Sequence, residues 1–158
     1  MAQTKIAVVV GSLRKDSFNR KLAVALAKLA PGDVTFEQLR IDDLPLYNQD
    51  DDGNPAASVT RLKSEIQSAQ GLLFITPEYN RSIPGVLKNA IDVGSRPYGS
   101  SVWNGKPGAV ISASPGAIGG FGAYHHLRQT LVFLNVPALN VEAYIGGAFA
   151  LFDENGEL

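Results

Sequence analysis

Short apolar runs alternate with stretches whose apolar residues recur every three or four positions, almost from one end of the chain to the other. Ile6-Ala7-Val8-Val9-Val10, Leu72-Leu73-Phe74-Ile75 and Ala109-Val110-Ile111 are unbroken and rich in branched side chains, the pattern of strands buried on both faces of a parallel sheet. Val34 to Leu39 alternates apolar with polar, which suits an edge strand with one wetter face, and Ala138 to Val141, after Pro137, is a weaker fifth candidate. Between them lie helical patterns. Phe18, Leu22, Leu26 and Leu29 share one face, stopped by Pro31-Gly32. Val59, Leu62 and Ile66 repeat the pattern and end before Gly71. A third helix is expected from just after Pro84 to about Val93, and a fourth from near Ala123 to Leu134.

The resulting order, β-α-β-α-β-α-β-α-β without repeat or linker, requires right-handed crossovers and a parallel sheet with helices on both faces. Five strands favour the doubly wound order 2-1-3-4-5, whose ligand site lies beyond the carboxyl ends of the central strands. One domain, 1–158, is expected, with function in the loops after the first, third and fourth strands.

Composition narrows the function. Hydrophobic residues make up 45% and charged residues 18% of the chain, which disfavours disorder. Fourteen basic residues against 15 acidic leave a net charge of −1, so no global field holds nucleic acid or an anionic membrane, and any anion must be bound locally. The absence of cysteine removes disulfides, thiolate nucleophiles, iron–sulfur ligation and cysteine-based zinc sites. The first apolar run meets charge soon after Val10, which is neither a signal peptide nor a membrane span, and a cytoplasmic location is expected.

Three loops carry candidate chemistry. In GSLRKDSFNR, Gly11 to Arg20, the side chains of Ser12, Ser17 and Asn19, the charge of Arg14 and the free N–H groups of a helix start converge as a phosphate site would. The loop lacks both G-x-G-x-x-G and a Walker pattern, and its plainer reading is a polar cap with Ser17 or Asp16 as the capping residue. In TPEYNRSIPG, Thr76 to Gly85, two prolines stiffen the ends and Tyr79 offers an aromatic surface for a flat heterocycle, unless the prolines only shape a turn. In SASPGAIGGFG, Ser112 to Gly122, four glycines permit close backbone approach to a ligand, or simply make a mobile turn.

Together, G-S-L-R-x-x-S-F-N and P-E-Y-N-x-S-x-P-G-x-L-K-N-A-x-D resemble the NADPH-dependent FMN reductase family of flavodoxin-like proteins, which includes quinone- and chromate-reducing members. The resemblance runs from the first strand to about Gly147, and AYHHLRQTLVFLNV at 123–136 is similar to the family's fourth helix. It implies that Ser12, Arg14, Ser17, Phe18 and Asn19 hold the FMN phosphate, Phe18 chiefly through its backbone. By the same resemblance Pro77, Glu78, Tyr79, Asn80 and Ser82 border the isoalloxazine ring, and Ser114 and Gly116 close its other side. Family members vary at position 81, so Arg81 receives no fixed role.

The implied activity is transfer of a hydride from NADPH or NADH to bound FMN and then of electrons to a quinone, flavin or other small acceptor, in a ping-pong sequence. The flavin carries that chemistry, so no catalytic side chain is named. The alternative is a flavin-binding electron carrier without nucleotide turnover, against which the near-neutral charge and Arg14 argue. A hydrolase would need G-x-S-x-G, and both histidines, His125 and His126, fall on the fourth helix, where surface or packing roles are expected. Asp50-Asp51-Asp52 reads as a solvated loop rather than a metal site.

The resemblance further implies a homodimer or homotetramer, in which Tyr124, Arg128 and Glu142 could form a polar network between subunits, while Trp103 either contributes to an interface or plugs the sheet end. The tail GGAFALFDENGEL is too short and glycine-rich for a closing fifth helix. The expectation is a truncated domain lacking one helix of ~20 residues, with apolar sheet surface left uncovered.

Overall fold

The structure, a computed structural model, describes residues 3–154 and 156–158; Met1 and Ala2, which begin the segment read as neither leader nor span, and Asn155 in the tail lie outside them. Five strands form one parallel sheet in the order β2-β1-β3-β4-β5: β1 Thr4–Val10, β2 Val34–Gln38, β3 Gly71–Thr76, β4 Gly108–Ala113 and β5 Ala143–Ile145. The helices that connect them are α1 Phe18–Lys28, α2 Ala57–Ser68, α3 Gly85–Ser95 and α4 Phe121–Phe133. This is the expected doubly wound, flavodoxin-like fold, and β3 is buried at every position, as its unbroken apolar run requires.

One face of the sheet is fully clothed. Val59, Leu62 and Ile66 of α2, Leu87 and Ile91 of α3, and Leu127 and Leu131 of α4 pack on Ala7, Val9, Phe74 and Val110. Trp103 closes the end of this layer. It is completely buried, its Nε1 donates to the Ile91 carbonyl at 2.9 Å, and its ring meets Phe74 with centroids 5.6 Å apart. Gly94 makes room for it, since a Cβ there would stand 2.6 Å from the indole. The plugging role is therefore the one Trp103 fills.

The other face is covered by α1, whose Leu22 and Ala23 pack on Val8, Val10, Leu73 and Ile75. Beside α1 a groove of about 500 Å³ is lined by the partly buried Ile6, Phe36, Ala109 and Ile111. Among the described residues only the short 3-10 turn Ala148–Ala150 follows β5.

The fifth strand departs from expectation. Residues 138–141 contribute only an isolated bridge, Ala138 with Gly108, and the ladder with β4 is made by Ala143–Ile145. The reason lies on α4. Arg128 takes the Leu139 carbonyl at 2.7 Å and the Tyr124 hydroxyl donates to the Val141 carbonyl at 3.1 Å, which ties this stretch to the helix instead of the strand. Local apolar pattern cannot register such long-range side-chain capture.

Register levels the loops of interest. Val10 pairs with Ile75 and Thr76 with Ser112, so the chain leaves β1, β3 and β4 at one height on the carboxyl edge.

Candidate functional site

The loop after β1 ends in a capped helix. Ser17 is the N-cap of α1, and its Oγ accepts a hydrogen bond from the Arg20 amide at 3.3 Å. The other amides of the first turn have no intrahelical acceptor and sit at the positive end of the helix dipole. Ser12 and Ser17 are buried, while Arg14 is exposed with its guanidinium carbon 5.3 Å from the Phe18 ring centroid. Phe18 packs edge-on against Phe149 and stacks with Phe152, bringing residues after β5 beside the same loop. Asn19 is buried and fully engaged: Nδ2 donates to the Ala113 carbonyl and Oδ1 accepts from the Ala113 amide. Its side chain therefore fixes the start of α1 against the end of β4.

The loop after β3 is a tight hairpin turn. Tyr79 and Ser82 exchange backbone hydrogen bonds at 2.9 and 3.0 Å, and the two residues between them, Asn80 and Arg81, lie in the left-handed region with φ of 53° and 63°. That is the twist of a two-residue turn with both central residues left-handed, for which asparagine is suited and arginine is not. Tertiary ties hold it. Glu78 bridges the loop, its Oε1 accepting from Arg81 at 3.1 Å and its Oε2 from the Ala123 amide in the first turn of α4 at 3.1 Å. Ser82 Oγ lies 2.6 Å from His126 Nδ1. Pro77 is half-buried, and the Tyr79 ring remains 51% exposed at the mouth of the site.

The loop after β4 is packed through backbone rather than left loose. Gly119 has φ +68°, and a Cβ there would stand 2.7 Å from the Tyr144 and Ile145 backbone. At Gly122 a Cβ would meet Glu78 at 2.9 Å and the Arg81 carbonyl at 3.0 Å. Ser112 donates to the Gly119 carbonyl at 2.8 Å, and Ser114 Oγ accepts from the Gly116 amide at 3.3 Å. The close approaches expected of these glycines are thus made to the protein's own chain.

All twelve candidate residues stand on these three loops and the first turn of α1. What sequence reasoning did not register are two long-range contacts: Glu78, one of the twelve, is also a strut to α4, and His126, assigned to a surface or packing role, packs against the β3 loop. Neither contact leaves a local signal, since 45 residues separate Glu78 from Ala123 and 44 separate Ser82 from His126. Within the chain Tyr124 and Arg128 form a polar pair at 3.2 Å, and Glu142 accepts from the Tyr144 hydroxyl, which raises the Tyr144 pKa. The Asp50 to Asp52 stretch lies in and just after a 3-10 turn that Asn48 caps. Among the described residues no group of three or more His, Cys, Asp or Glu could hold a metal ion, and no helix is long and apolar enough to cross a membrane.

Comparison with known proteins agrees with the geometry. A quinone reductase of Pseudomonas putida is 59% identical over 155 residues, covering 97% of this chain and 83% of its own length. A 2-hydroxy-1,4-benzoquinone reductase of a Burkholderia species is 54% identical over 155 residues, 98% of this chain and 85% of that protein. Among solved structures, FerB, a flavoenzyme NAD(P)H:(acceptor) oxidoreductase from Paracoccus denitrificans, superposes with a TM-score of 0.92 at 47% identity, over 98% of this chain and 86% of that one. The family described as NADPH-dependent FMN reductase matches residues 4–150, and the chain belongs to that family.

Proposed function

We propose that this protein is an FMN-dependent NAD(P)H oxidoreductase that reduces quinones, flavins or other small acceptors in a ping-pong sequence. The observation that carries the reading is the meeting of a capped helix start, a rigid aromatic turn and a glycine-packed loop at one edge of the sheet. The residues suit FMN. A phosphate dianion fits the first turn of α1, where Ser12, Arg14 and Ser17 stand beside amides at the positive end of the helix dipole. Phe18 and Asn19 would contribute their backbone amides there, the Asn19 side chain being engaged by Ala113. Pro77, Glu78, Tyr79, Asn80 and Ser82 would border one side of a flat ring, and Ser114 and Gly116 the other.

When bound, FMN supplies reversible acceptance of two electrons from NAD(P)H and their donation to a second substrate. The protein's part is to bind, orient and shield. The Glu78 strut and the Ser82–His126 contact hold the turn that bears Tyr79 in one shape, so the ring would meet a preorganised edge. A carrier without nucleotide turnover is disfavoured by the net charge of −1, which gives no strongly acidic docking surface, and by the names of the related reductases. Steady-state NAD(P)H oxidation with a quinone and added FMN tests the reading. Turnover is expected, and its absence from folded, flavin-loaded protein would reject it.

A homodimer or homotetramer in the cytoplasm completes the proposal. Phe121, Val132 and Phe133 of α4 are exposed, as are Leu139, Val141 and Tyr144; Phe121 and Tyr144 meet with ring centroids 5.4 Å apart, and His125, which contacts both rings, has a buried Nε2 without a hydrogen-bond partner. Exposed large apolar side chains of this kind are what a subunit contact covers. Light scattering after size exclusion would show more than one chain per particle, and monomer alone at micromolar concentration would reject it.

A further inference from the structure

Next to the proposed flavin site a separate cavity of about 380 Å³ opens over the carboxyl ends of β1 and β2. Ser12 and Leu13 form its border with the β1 loop, Arg20 of α1 lines it, and Arg40 and Asp42 line it from the segment after β2. Its charges are unequally engaged. Arg40 Nε donates to Asp42 at 2.8 Å and also lies 3.7 Å from Asp43. Arg20 joins no ion pair among the described residues, and its Nε is buried without a hydrogen-bond partner. Burying a guanidinium N–H without an acceptor is costly, and it is relieved by an anion or a polar ligand atom. The buried side chains of Leu39 and Ile41 give the same cavity an apolar floor.

In the related dinucleotide-binding folds that carry a G-x-G-x-x-G turn, which this chain lacks, the end of the strand after β1 is where adenosine riboses are told apart: a carboxylate there takes a 2′-hydroxyl, and a nearby arginine takes a 2′-phosphate. Here the residues after β2 offer a carboxylate, Asp42, already held by Arg40, whereas Arg20, though near enough for its charge to help lower the Asp42 pKa, forms no ion pair among the described residues and keeps Nε free of a hydrogen-bond partner. Arg14 and Ser17 lie on the same β1 loop that borders the cavity, so one extended dinucleotide could pass over this loop from the flavin site. We infer that the cavity receives the adenosine end of the dinucleotide and that Arg20 takes the 2′-phosphate of NADPH, making it the residue that selects NADPH over NADH. This inference rests on the oxidoreductase reading above.

The test compares FMN-loaded wild type with Arg20→Met and Arg20→Lys. The steady-state measurements use NADPH and NADH with a saturating quinone, and calorimetry measures binding of 2′,5′-ADP and 5′-AMP. Loss of a charge-assisted contact is expected to lower kcat/KM for NADPH about tenfold or more in Arg20→Met, with the NADH value nearly unchanged and Arg20→Lys intermediate. Wild type should bind 2′,5′-ADP more tightly than 5′-AMP, and Arg20→Met should erase the difference. Equal losses with both nucleotides, no loss with NADPH, or equal wild-type affinity for the two adenosine phosphates would overturn the assignment. So would a loss of FMN from Arg20→Met with the nucleotide ratio unchanged, which would place Arg20 in the flavin site. Wild type that turns over neither nucleotide would reject the oxidoreductase reading instead, while calorimetry would still decide whether the cavity prefers the 2′-phosphate.

Discussion

Asn19 grips both backbone groups of Ala113, donating from Nδ2 to the carbonyl at 3.0 Å and accepting at Oδ1 from the amide at 3.2 Å. The pairing is buried and spans 94 residues, so it docks the first turn of α1 onto the last residue of β4 and sets two of the three loops against each other. Removing it in Asn19→Ala leaves a buried amide and carbonyl without partners. The expected loss is about 2–4 kcal/mol in urea denaturation, together with weaker FMN binding by fluorescence titration. Unchanged stability would show that Asn19 docks nothing.

Glu78 makes the matching link between the β3 loop and α4. In Glu78→Ala the Ala123 amide loses its acceptor and Arg81 its ion pair, of which the exposed arginine matters less. We expect about 1–3 kcal/mol of destabilisation, nearly all from the amide. Arg81→Ala should cost well under half as much, and comparing the two midpoints in denaturant separates these contributions.

Much of this architecture was legible along the chain because it rests on local periodicity. The unbroken run Ile6 to Val10 and the fully buried Leu72 to Ile75 could only be interior strands, and Phe18, Leu22 and Leu26 could only share a helix face. The loops with candidate chemistry followed from topology, since a parallel sheet brings the ends of β1, β3 and β4 to one edge. What escaped is whatever depends on partners far apart in sequence. Arg128 and Tyr124 draw residues 139–141 away from the sheet, so β5 forms later than Pro137 and its neighbours suggest. His126 keeps the surface or packing role its helix position suggests, but that its partner is Ser82, 44 residues away, leaves no local signal.

Gly119 tests whether the β4 loop is rigid. Its φ of +68° and the 2.7 Å approach to the backbone of Tyr144 and Ile145 leave no room for a methyl group. Gly119→Ala must therefore strain the backbone and displace β5, at an expected cost of about 2 kcal/mol or more. Gly116→Ala, where a Cβ would meet only Ser114 Oγ at 3.7 Å, should be nearly neutral. Thermal unfolding of the pair would show the contrast, and equal midpoints would contradict it.

Acid should weaken the contact between Arg40 and Asp42. The hydrogen bond from Arg40 holds the Asp42 carboxyl below its ordinary value of 3.8. A carboxyl whose pKa is lowered by folding binds fewer protons in the folded state, so its contribution is present above the ordinary value and is lost as pH falls through the lower, folded one. Both groups are exposed, so the stability effect is small and the pKa is the better readout. In Arg40→Gln, NMR titration should show the Asp42 pKa moved upward; an unchanged value would mean the pair is not formed in solution.

FMN held by the three loops must lie where NAD(P)H can reduce it. Anaerobic mixing of the FMN-loaded protein with NADPH, followed by its visible absorbance, tests this most directly. The oxidised-flavin absorbance should be lost at a rate no slower than turnover and return when a quinone is added. A flavin that stays oxidised in folded, fully loaded protein would contradict it.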